Sequence, residues 1–327
     1  MKTLRLLSLL VMGGLPALAS AIITVDGSYD SDYGAALAVQ DVPTGFGDAS
    51  PPGSVGGSEL DAAYATIAND RLYLLFTGNQ EPNGNKLDVF IDSVSGGENT
   101  LTSTPQYDFF NGSNWISQNM AGLTFDAGFG ADYHLFTQWV SGTSPYQVSF
   151  VNRDGGGSAQ VPGSEGYSPN ASGLVAAGAI AAGEVGTNAS GTALTQDLEF
   201  AINDNNAAGV SGSDGTGGAA VTTGMEFSIA LADLGNPAPG STILIAAMIN
   251  NGDHNYLSNQ ILGPLPSGTG NLGGDGGGGF SGTLGGVNFN NFSGAQYIAV
   301  TVPEPAAWML VPGAAALGLA MVRRRQK

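Results

Sequence analysis

The sequence predicts an all-β fold, an antiparallel β-sandwich of the jelly-roll kind, flanked by an apolar segment at each chain end. Short runs of β-branched and aromatic residues alternate with turn residues along most of the chain. Glycine accounts for 52 of the 327 residues and charged residues for only 11%, which is typical of short strands joined by long turns. Because helix-forming runs are scarce, packed sheets are the architecture that can bury the apolar side chains.

The amino terminus has the pattern of a secretory signal peptide. Lys2 and Arg5 precede an apolar run over residues 6–15, and the small residues Ala19 and Ala21 follow it. This order of a basic, an apolar and a small-residue region is that of a segment removed by signal peptidase. An uncleaved anchor is the alternative, but the apolar run is short for a membrane span. We therefore expect cleavage after Ala21.

The strongest strand pattern lies in three consecutive runs. Residues 63–68 and 72–77 flank the turn Asn69-Asp70, and residues 86–92 follow a second polar turn. In the third run, period-two alternation places Leu87, Val89 and Ile91 on one face and Asp88, Phe90 and Asp92 on the other. The three runs predict an antiparallel meander from which a sheet is built.

The remaining elements are shorter. Further strands are predicted at residues 22–25, 123–125, 133–139, 146–151, 198–203, 225–231, 243–249 and 297–302. One helical turn is predicted at residues 231–234, and the alanine-rich residues 175–182 are a short candidate helix. Long loops are expected at residues 42–58, 203–224 and 263–295, where Gly, Asn, Pro and Ser dominate.

The acidic and basic residues are distributed unevenly along the chain. Only three of the nine basic residues lie between Ile22 and Val302, together with 26 of the 27 acidic residues. A surface this acidic repels phosphate groups, which argues against nucleic acid as a partner. The chain has no cysteine, which excludes disulfides, thiolate nucleophiles and iron–sulfur clusters.

The carboxyl terminus carries a second targeting pattern. The tripeptide Pro303, Glu304 and Pro305 precedes an apolar run over residues 306–322 and then an arginine cluster. As a helix this run would be roughly 26 Å long, slightly less than a hydrocarbon core of about 30 Å. The cluster, Arg323, Arg324 and Arg325, favours the cytoplasmic side of a membrane. A buried core helix is the alternative interpretation, and the terminal arginines argue against it.

This order of tripeptide, transmembrane sorting helix and basic cluster resembles the PEP-CTERM sorting signal of exopolysaccharide-producing Gram-negative bacteria. The resemblance implies that an exosortase acts near Pro303, Glu304 and Pro305, and that the protein inserts only transiently in the membrane. Those residues would then be recognised by another enzyme. The expected organisation is a signal peptide at residues 1–21, an extracytoplasmic domain at 22–302 and a sorting signal at 303–327.

A second resemblance covers most of the region between the two ends. The runs ITVDGSYDSDYG, YATIANDRLYLLFTGNQEPNGNKLDVFIDS and GMEFSIALADLG are similar to domains often carried by PEP-CTERM proteins. Those domains are distantly similar to the family 9 carbohydrate-binding and DOMON-like β-sandwiches. The resemblance implies the sandwich more than it implies sugar binding.

Catalytic patterns are weak. Asp88 and Asp92 share a strand face, but their Cα atoms would lie about 13 Å apart, too far for an acid/base pair. His134 and His254 are the only histidines and are far apart in sequence, which argues against a serine triad or a histidine-rich zinc site. We therefore expect no catalytic residue and no enzymatic activity.

Two binding hypotheses stay open. Asp26, Asp30 and Asp32 could supply oxygen ligands to calcium, although Asx turns in a solvated loop would explain the same run. Trp115, in the polar run NGSNWISQN, could serve as a stacking platform for a sugar, or could belong to the core. No other cofactor is expected.

Together these patterns predict an exported protein of the cell surface or extracellular matrix, with a structural or adhesive role beside exopolysaccharide. The alternative is a carbohydrate-binding module, and a glycan-active enzyme is a third and weaker possibility. Signal peptidase, exosortase and extracellular polysaccharide are the expected partners.

Overall fold

The computed structural model describes most of the chain between its two ends. The described residues are 23–46, 58–81, 83–105, 116–140, 144–154, 158–160, 174–184, 193–204, 209–210 and 217–304. They form thirteen strands: β1 (Ala38–Val39), β2 (Glu59–Ala68), β3 (Arg71–Asn79), β4 (Asn83–Asp92), β5 (Tyr133–Val140), β6 (Ser144–Asn152), β7 (Ser158–Gln160), β8 (Leu174–Ile180), β9 (Leu198–Asn203), β10 (Gly224–Ala230), β11 (Thr242–Asn250), β12 (Leu257–Leu262) and β13 (Ile298–Thr301). The prediction of an all-β fold is confirmed.

The strands form two antiparallel sheets. The first has the order β1-β2-β3-β10-β9-β8, and the second has the order β12-β11-β4-β5-β6-β7, with β13 also paired to β11. One continuous apolar core includes side chains of both sheets, among them Leu72 and Phe227 of the first and Leu87 and Ile245 of the second. The two sheets therefore pack face to face as a sandwich.

The three predicted strands are present, but the prediction that they form one meander is wrong: β2 and β3 pair as a hairpin, whereas β4 lies in the second sheet between β11 and β5. Asn69 and Asp70 adopt φ values of 51° and 59°, as a tight two-residue hairpin turn between β2 and β3 requires. The chain then passes to β4 in the second sheet, where Leu87, Val89 and Ile91 lie in the shared core as the alternation predicts. The turn chemistry and the alternation thus fix the centre of the fold.

The second sheet is buried on both faces. A separate apolar cluster covers its outer face and includes Phe90 and Phe136 of the sheet, together with Phe125 and Phe289 from the connecting segments. The described parts of those segments are residues 93–105 and 116–132 between β4 and β5, which include the short helix Ile116–Met120, and residues 263–297 after β12. Polar side chains on this outer face of β4 and β5 are therefore removed from solvent.

The outer face of the first sheet is covered by the chain before β2. Tyr29 and Tyr33 pack on Tyr64 of β2, with ring centroids 4.8 and 6.2 Å from that ring. Glu226 of β10 accepts hydrogen bonds from the N–H of Asp26 and from the hydroxyl of Tyr33. The segment is held on the sheet by aromatic packing and by one buried carboxylate.

Several predicted elements differ in the structure. The candidate helix at 175–182 is strand β8, because a run this short does not nucleate a helix and its backbone pairs with β9. Residues 23–25 are not a strand, and the run at 123–125 makes only isolated bridges through Thr124. Strands β1, β7 and β12 were not predicted. The turn at Leu231–Leu234 is present as a 3₁₀ helix.

Within the parts of the chain that the structure describes, no helix is both long and apolar enough to cross a membrane. The predicted signal peptide at 1–21 and the predicted sorting helix at 306–322 lie outside those parts.

Candidate functional site

The predicted sorting motif begins next to the end of strand β13. Strand β13 pairs with β11 up to Thr301, and Val302 continues the contact. The N–H of Val302 donates to the Ser241 carbonyl at 2.8 Å, and the N–H of Gly240 donates to the Val302 carbonyl at 2.9 Å. Val302 is buried, whereas Pro303 and Glu304 are exposed. Among the described residues, the last one hydrogen bonded to the edge of this sheet thus comes immediately before the tripeptide.

A surface groove of about 580 Å³ lies beside this junction. Pro303 and Glu304 line it, together with Pro237, Pro239 and the turn at Asn69. Proline fixes its own backbone dihedral, so much of the rim has a fixed shape. The first two residues of the predicted sorting motif therefore belong to a formed surface of the domain.

The other predicted processing and sugar-binding residues lie outside the described parts of the chain. They are Ala19, Ala21, Trp115, Pro305, Arg323, Arg324 and Arg325. Their predicted roles stay predictions.

Two of the predicted calcium ligands accept hydrogen bonds from backbone N–H groups nearby in the chain. Asp26 accepts the N–H of Ser28 at 2.9 Å, as in an Asx turn, and Asp30 accepts the N–H of Thr24 at 3.1 Å. Asp26 and Asp32 are exposed. No group of three or more His, Cys, Asp or Glu side chains suited to a metal occurs among the described residues. The hypothesis of a calcium ion at this run stays a prediction.

The two histidines meet at one carboxylate, which sequence spacing did not indicate. Asp88 lies on β4, His134 on the neighbouring strand β5, and His254 in the turn between β11 and β12. The Oδ1 atom of Asp88 is 2.9 Å from Nε2 of His134 and 2.9 Å from Nδ1 of His254. Asn250 adds a hydrogen bond from Nδ2 to Oδ2 of Asp88 at 3.2 Å. The two histidines, which are far apart in sequence, are therefore neighbours in the fold, and the expectation that they form neither a serine triad nor a histidine-rich zinc site stays a prediction.

Aromatic rings hold both imidazoles in place. Phe90 stacks on His134 with centroids 4.3 Å apart and an interplanar angle of 9°. Phe136 meets His254 edge to face at 5.4 Å. His254 itself has a φ of 55°, an uncommon value for a residue with a side chain. The turn between β11 and β12 thus adopts an uncommon backbone conformation at the residue whose ring reaches Asp88.

The two imidazoles decide the charge of this cluster, which is fully buried. Burial by itself would raise the pKa of Asp88, but the electrostatic interaction with His254 and the hydrogen bonds from His134 and His254 outweigh it and lower the pKa. Burial lowers the pKa of His134 to about 4, with Asp88 acting in the opposite direction. At neutral pH His134 is therefore neutral beside an ionised Asp88.

Lys86 lies on the same strand two residues away, and it is also buried. Its ammonium group donates to the carbonyl of Gly84 at 2.9 Å and to the side-chain oxygen of Gln138. Gln138 in turn donates to Gln147 at 2.7 Å. Burial lowers the pKa of Lys86 to about 8, while Asp88 acts in the opposite direction. The outer face of β4 thus carries a chain of polar side chains beneath the second apolar layer.

The cluster resembles the acid–histidine part of a catalytic triad in composition, but not in accessibility. Asp88 and His134 are 0% exposed and His254 is 1% exposed. The Nε2 atom of His254 has no hydrogen-bond partner within the described residues. The arrangement holds a charge in the interior and joins β4, β5 and the turn before β12. Asp92, the other acid of this strand face, accepts the N–H of Gly130 at 2.8 Å at the far end of the strand.

Two further carboxyl groups are buried elsewhere in the sandwich. Burial raises the pKa of Glu226 to about 7, although the hydroxyl of Tyr33 and two backbone N–H groups donate to it. Burial likewise raises the pKa of Asp204 to about 7, where Gln80 donates its N–H at 2.9 Å. Both groups titrate near neutral pH.

No protein-family model matches the chain, and neither a curated protein nor a solved structure is significantly similar to it. Function is therefore argued from the residues and their geometry.

Proposed function

We propose that this chain is the precursor of an exported β-sandwich protein, and that the sandwich has a structural or adhesive role in extracellular polysaccharide. Signal peptidase removes residues 1–21, and an exosortase acts at Pro303, Glu304 and Pro305. The jelly-roll description, the terminal sorting helix and the final location at the cell surface or in the matrix belong to the same proposal.

The observation that best supports the proposal is that the sandwich ends at Val302, directly before the tripeptide. Val302 is 4% exposed and is hydrogen bonded on both sides to the turn before β11. Pro303 cannot donate a hydrogen bond to a neighbouring strand, and it is exposed. Cleavage at the tripeptide would therefore release the complete sandwich without removing any strand.

The charge distribution supports a role outside the cell among neutral or hydrated polymers. Each of the three basic side chains between Ile22 and Val302 is engaged. Arg71 donates to the hydroxyl and carbonyl oxygens of Ser228, Arg153 pairs with Glu98, and Lys86 is buried. The fixed charge that the domain presents to solvent is therefore largely negative, which favours solubility and repels anionic surfaces.

Substitution of the tripeptide tests the proposal. We expect the variant with Pro303, Glu304 and Pro305 all changed to Ala to stay with the membrane fraction, at a mass that includes the carboxyl-terminal segment. The native sequence should yield a protein shortened at both ends. The exposed Glu199, 51% accessible at its side chain, provides the control Glu199→Ala, which should be processed like the native protein.

Processing that is unchanged in the triple-alanine variant would contradict the assignment of the tripeptide. Because this readout is covalent mass, it does not depend on knowing the role of the sandwich outside the cell.

Carbohydrate binding is the second candidate function, and the structure limits where it could occur. The outer face of the second sheet lies under an apolar layer that contains Phe125 and Phe289, and the first sheet is covered in part by Tyr29 and Tyr33. A broad flat platform on the second sheet is therefore not available. Sugar stacking would use a loop aromatic, for which Trp115 is the sequence candidate.

Retention on immobilised glycans tests this candidate. If Trp115 is the platform, Trp115→Ala should reduce retention of the exported protein about tenfold or more. Equal retention of the variant and the native protein would exclude that residue.

A further inference from the structure

The turn before β11 has a shape that its own sequence specifies. The N–H of Ser241 donates to the carbonyl of Ala238 at 2.9 Å, and Gly240 has a φ of 80°. A type II β-turn favours proline at its second position and needs a residue with positive φ, usually glycine, at its third. Pro239 and Gly240 occupy these two positions. Residues 238–241 therefore form a turn of fixed geometry.

This turn also holds the end of the last strand and the middle residue of the tripeptide. The N–H of Gly240 donates to the carbonyl of Val302 at 2.9 Å, and the carbonyl of Ser241 accepts the N–H of Val302 at 2.8 Å. The side chain of Glu304 lies against Gly240, because a Cβ atom added there would overlap the Oε1 atom of Glu304. A turn far earlier in the chain thus positions part of the predicted processing motif.

The groove beside the tripeptide is built from segments that only folding brings together. The N–H of Leu231 donates to the carbonyl of Asp70 at 2.9 Å, and the N–H of Asn236 donates to the carbonyl of Leu231 at 2.9 Å. These bonds connect the β2–β3 turn to the segment before β11, and both line the same groove as the tripeptide. An unfolded chain therefore has the tripeptide but lacks this surface.

Strand pairing limits how an enzyme can bind the chain here. Strand β13 pairs with β11 from Ile298 to Thr301. A peptidase that binds its substrate as an extended strand needs free backbone N–H and C=O groups. Residues before the tripeptide provide them only when β13 leaves the sheet, and cleavage then depends on how often the strand opens. Recognition that leaves β13 in place must use the exposed Pro303 and Glu304 and the surface around them.

We propose that the processing enzyme recognises the tripeptide as part of the folded sandwich and docks in this groove, so that folded chains are processed in preference to unfolded ones. This inference rests on the proposed processing at the tripeptide. Because Pro303 and Glu304 themselves line the groove, an enzyme that contacts both residues also meets the other lining residues.

The lining of the groove indicates what the docking surface of the enzyme carries. Asp70 and Glu304 contribute two carboxyl groups, and Leu231 and Pro237 contribute apolar surface. Among the described residues that line the groove, none is basic. Complementary charge favours the correct partner at an interface. The groove therefore fits a surface that has a basic group beside apolar side chains.

The first test moves Glu304 without changing the tripeptide. Gly240→Ala places a methyl group against the Glu304 carboxyl group, so that this side chain must shift. In a host that contains an exosortase, pulse labelling and intact mass should show processing at least about tenfold slower than in the native chain, because small displacements of recognised groups are costly. Gly268→Ala is the matched control. Its φ is 82°, and nothing lies within 4 Å of the added Cβ atom, so it has similar backbone strain and should be processed at the native rate.

A second pair of variants tests the groove at a distance from the tripeptide in sequence. Ala232 is exposed and lines the groove, so Ala232→Tyr should fill part of it and slow processing. Ala35 is exposed before β1, and Ala35→Tyr should be processed at the native rate. The unfolding temperatures of the full-length precursors in non-ionic detergent separate lost recognition from lost folding. Ala232→Tyr should unfold at the native temperature, and it decides the test if Gly240→Ala does not fold.

The outcomes separate this inference from the proposed function. The inference is overturned if the native chain is processed and either folded variant, Gly240→Ala or Ala232→Tyr, is processed at the native rate or faster. The enzyme would then bind the tripeptide as a linear segment after β13 opens, and the proposed function would be unaffected. A native chain that is not processed at all would contradict the proposed function itself, and the inference with it.

Discussion

At the scale of single residues, Asp88 is a fully buried carboxylate that contacts both histidines. It is fully buried, and His134, His254 and Asn250 all contact its two oxygens. Hydrogen bonds to a charged group are stronger than those between neutral groups. Asp88 is therefore the link that fixes β4, β5 and the turn before β12 relative to one another.

Removal of that charge should destabilise the protein. Asp88→Asn keeps the shape but can no longer accept hydrogen bonds at both side-chain positions, so one imidazole loses its partner. We expect the free energy of unfolding to fall by about 2 kcal/mol or more. Urea denaturation at neutral pH measures this change. The exposed Asp41 provides the control, and Asp41→Asn should change the free energy of unfolding by less than about 0.5 kcal/mol. Equal stabilities of the two variants would contradict the assigned role.

The buried carboxyl groups predict that stability decreases on the alkaline side. Glu226 and Asp204 each have a pKa of about 7 in the folded protein, above their ordinary values of about 4 in an unfolded chain. Their contribution to stability is present at low pH and is lost as the pH rises through about 7. His134 acts in the opposite sense, since its pKa of about 4 lies below its unfolded value, and its contribution is lost as the pH falls through about 6 to 4.

Glu226 and Asp204 lose most of their contribution between about pH 5.5 and about pH 8, whereas most of the effect of His134 falls below this range. Stability should therefore be higher near about pH 5.5 than near about pH 8. Denaturant unfolding in the absence of calcium at the two pH values measures this. Glu226→Gln keeps an acceptor for the N–H groups of Asp26 and Gly27 and removes one titration, so its pH dependence should be shallower. A native protein that is more stable at the higher pH would contradict the prediction.

At the scale of secondary-structure elements, glycines determine how closely β10 approaches β3. Gly224 pairs with Thr77, and an added Cβ atom would overlap the carbonyl oxygen of Phe76. The N–H of Gly224 also donates to the carbonyl of Gly27 at 2.9 Å. A side chain at this position must push the two strands apart.

Gly224→Ala should therefore lower the free energy of unfolding by about 2 kcal/mol or more, because the overlap is with backbone atoms that cannot move alone. Gly270→Ala is the matched control, since nothing lies within 4 Å of its added Cβ atom. That variant should stay within about 0.5 kcal/mol of the native protein. Thermal or urea unfolding of both variants measures these changes. Equal changes in the free energy of unfolding would contradict the prediction and would show that β10 and β3 can move apart at little cost.

The elements that sequence could predict are those with local signals. The hairpin at Asn69-Asp70 and the alternation of β4 depend on neighbouring residues and were predicted correctly. Strand β12 has no such signal, because Ser258, Asn259 and Gln260 occupy its middle and are buried by tertiary hydrogen bonds. Its existence depends on pairing with β11, which only the folded chain supplies.

The candidate sites divide in the same way. The position of Pro303 after a strand could be predicted because the strand and the tripeptide are adjacent in sequence. The Asp88 cluster could not be predicted from the sequence, because its geometry depends on the register between β4 and β5 and on a turn far along the chain. The sequence indicated only that Asp88 and Phe90 lie on the same face of β4, and this does not identify the residues that Asp88 contacts.

At the scale of the whole molecule, the chain separates into basic, apolar ends and an acidic sandwich. Six of nine basic residues lie outside the region 22–302, and that region holds 26 of the 27 acidic residues. The sheet ends at Val302, and the predicted processing site begins at Pro303. The last strand of the described sheet therefore ends directly before the predicted processing site.

The most direct measurement is the intact mass of the protein recovered from outside the cells of a host that contains an exosortase. We predict a single species that begins near Ile22, ends near Pro303 and gives the unfolding transition of a folded domain. Recovery of the full-length chain from the cytosol, with both ends present, would contradict the proposed export and processing.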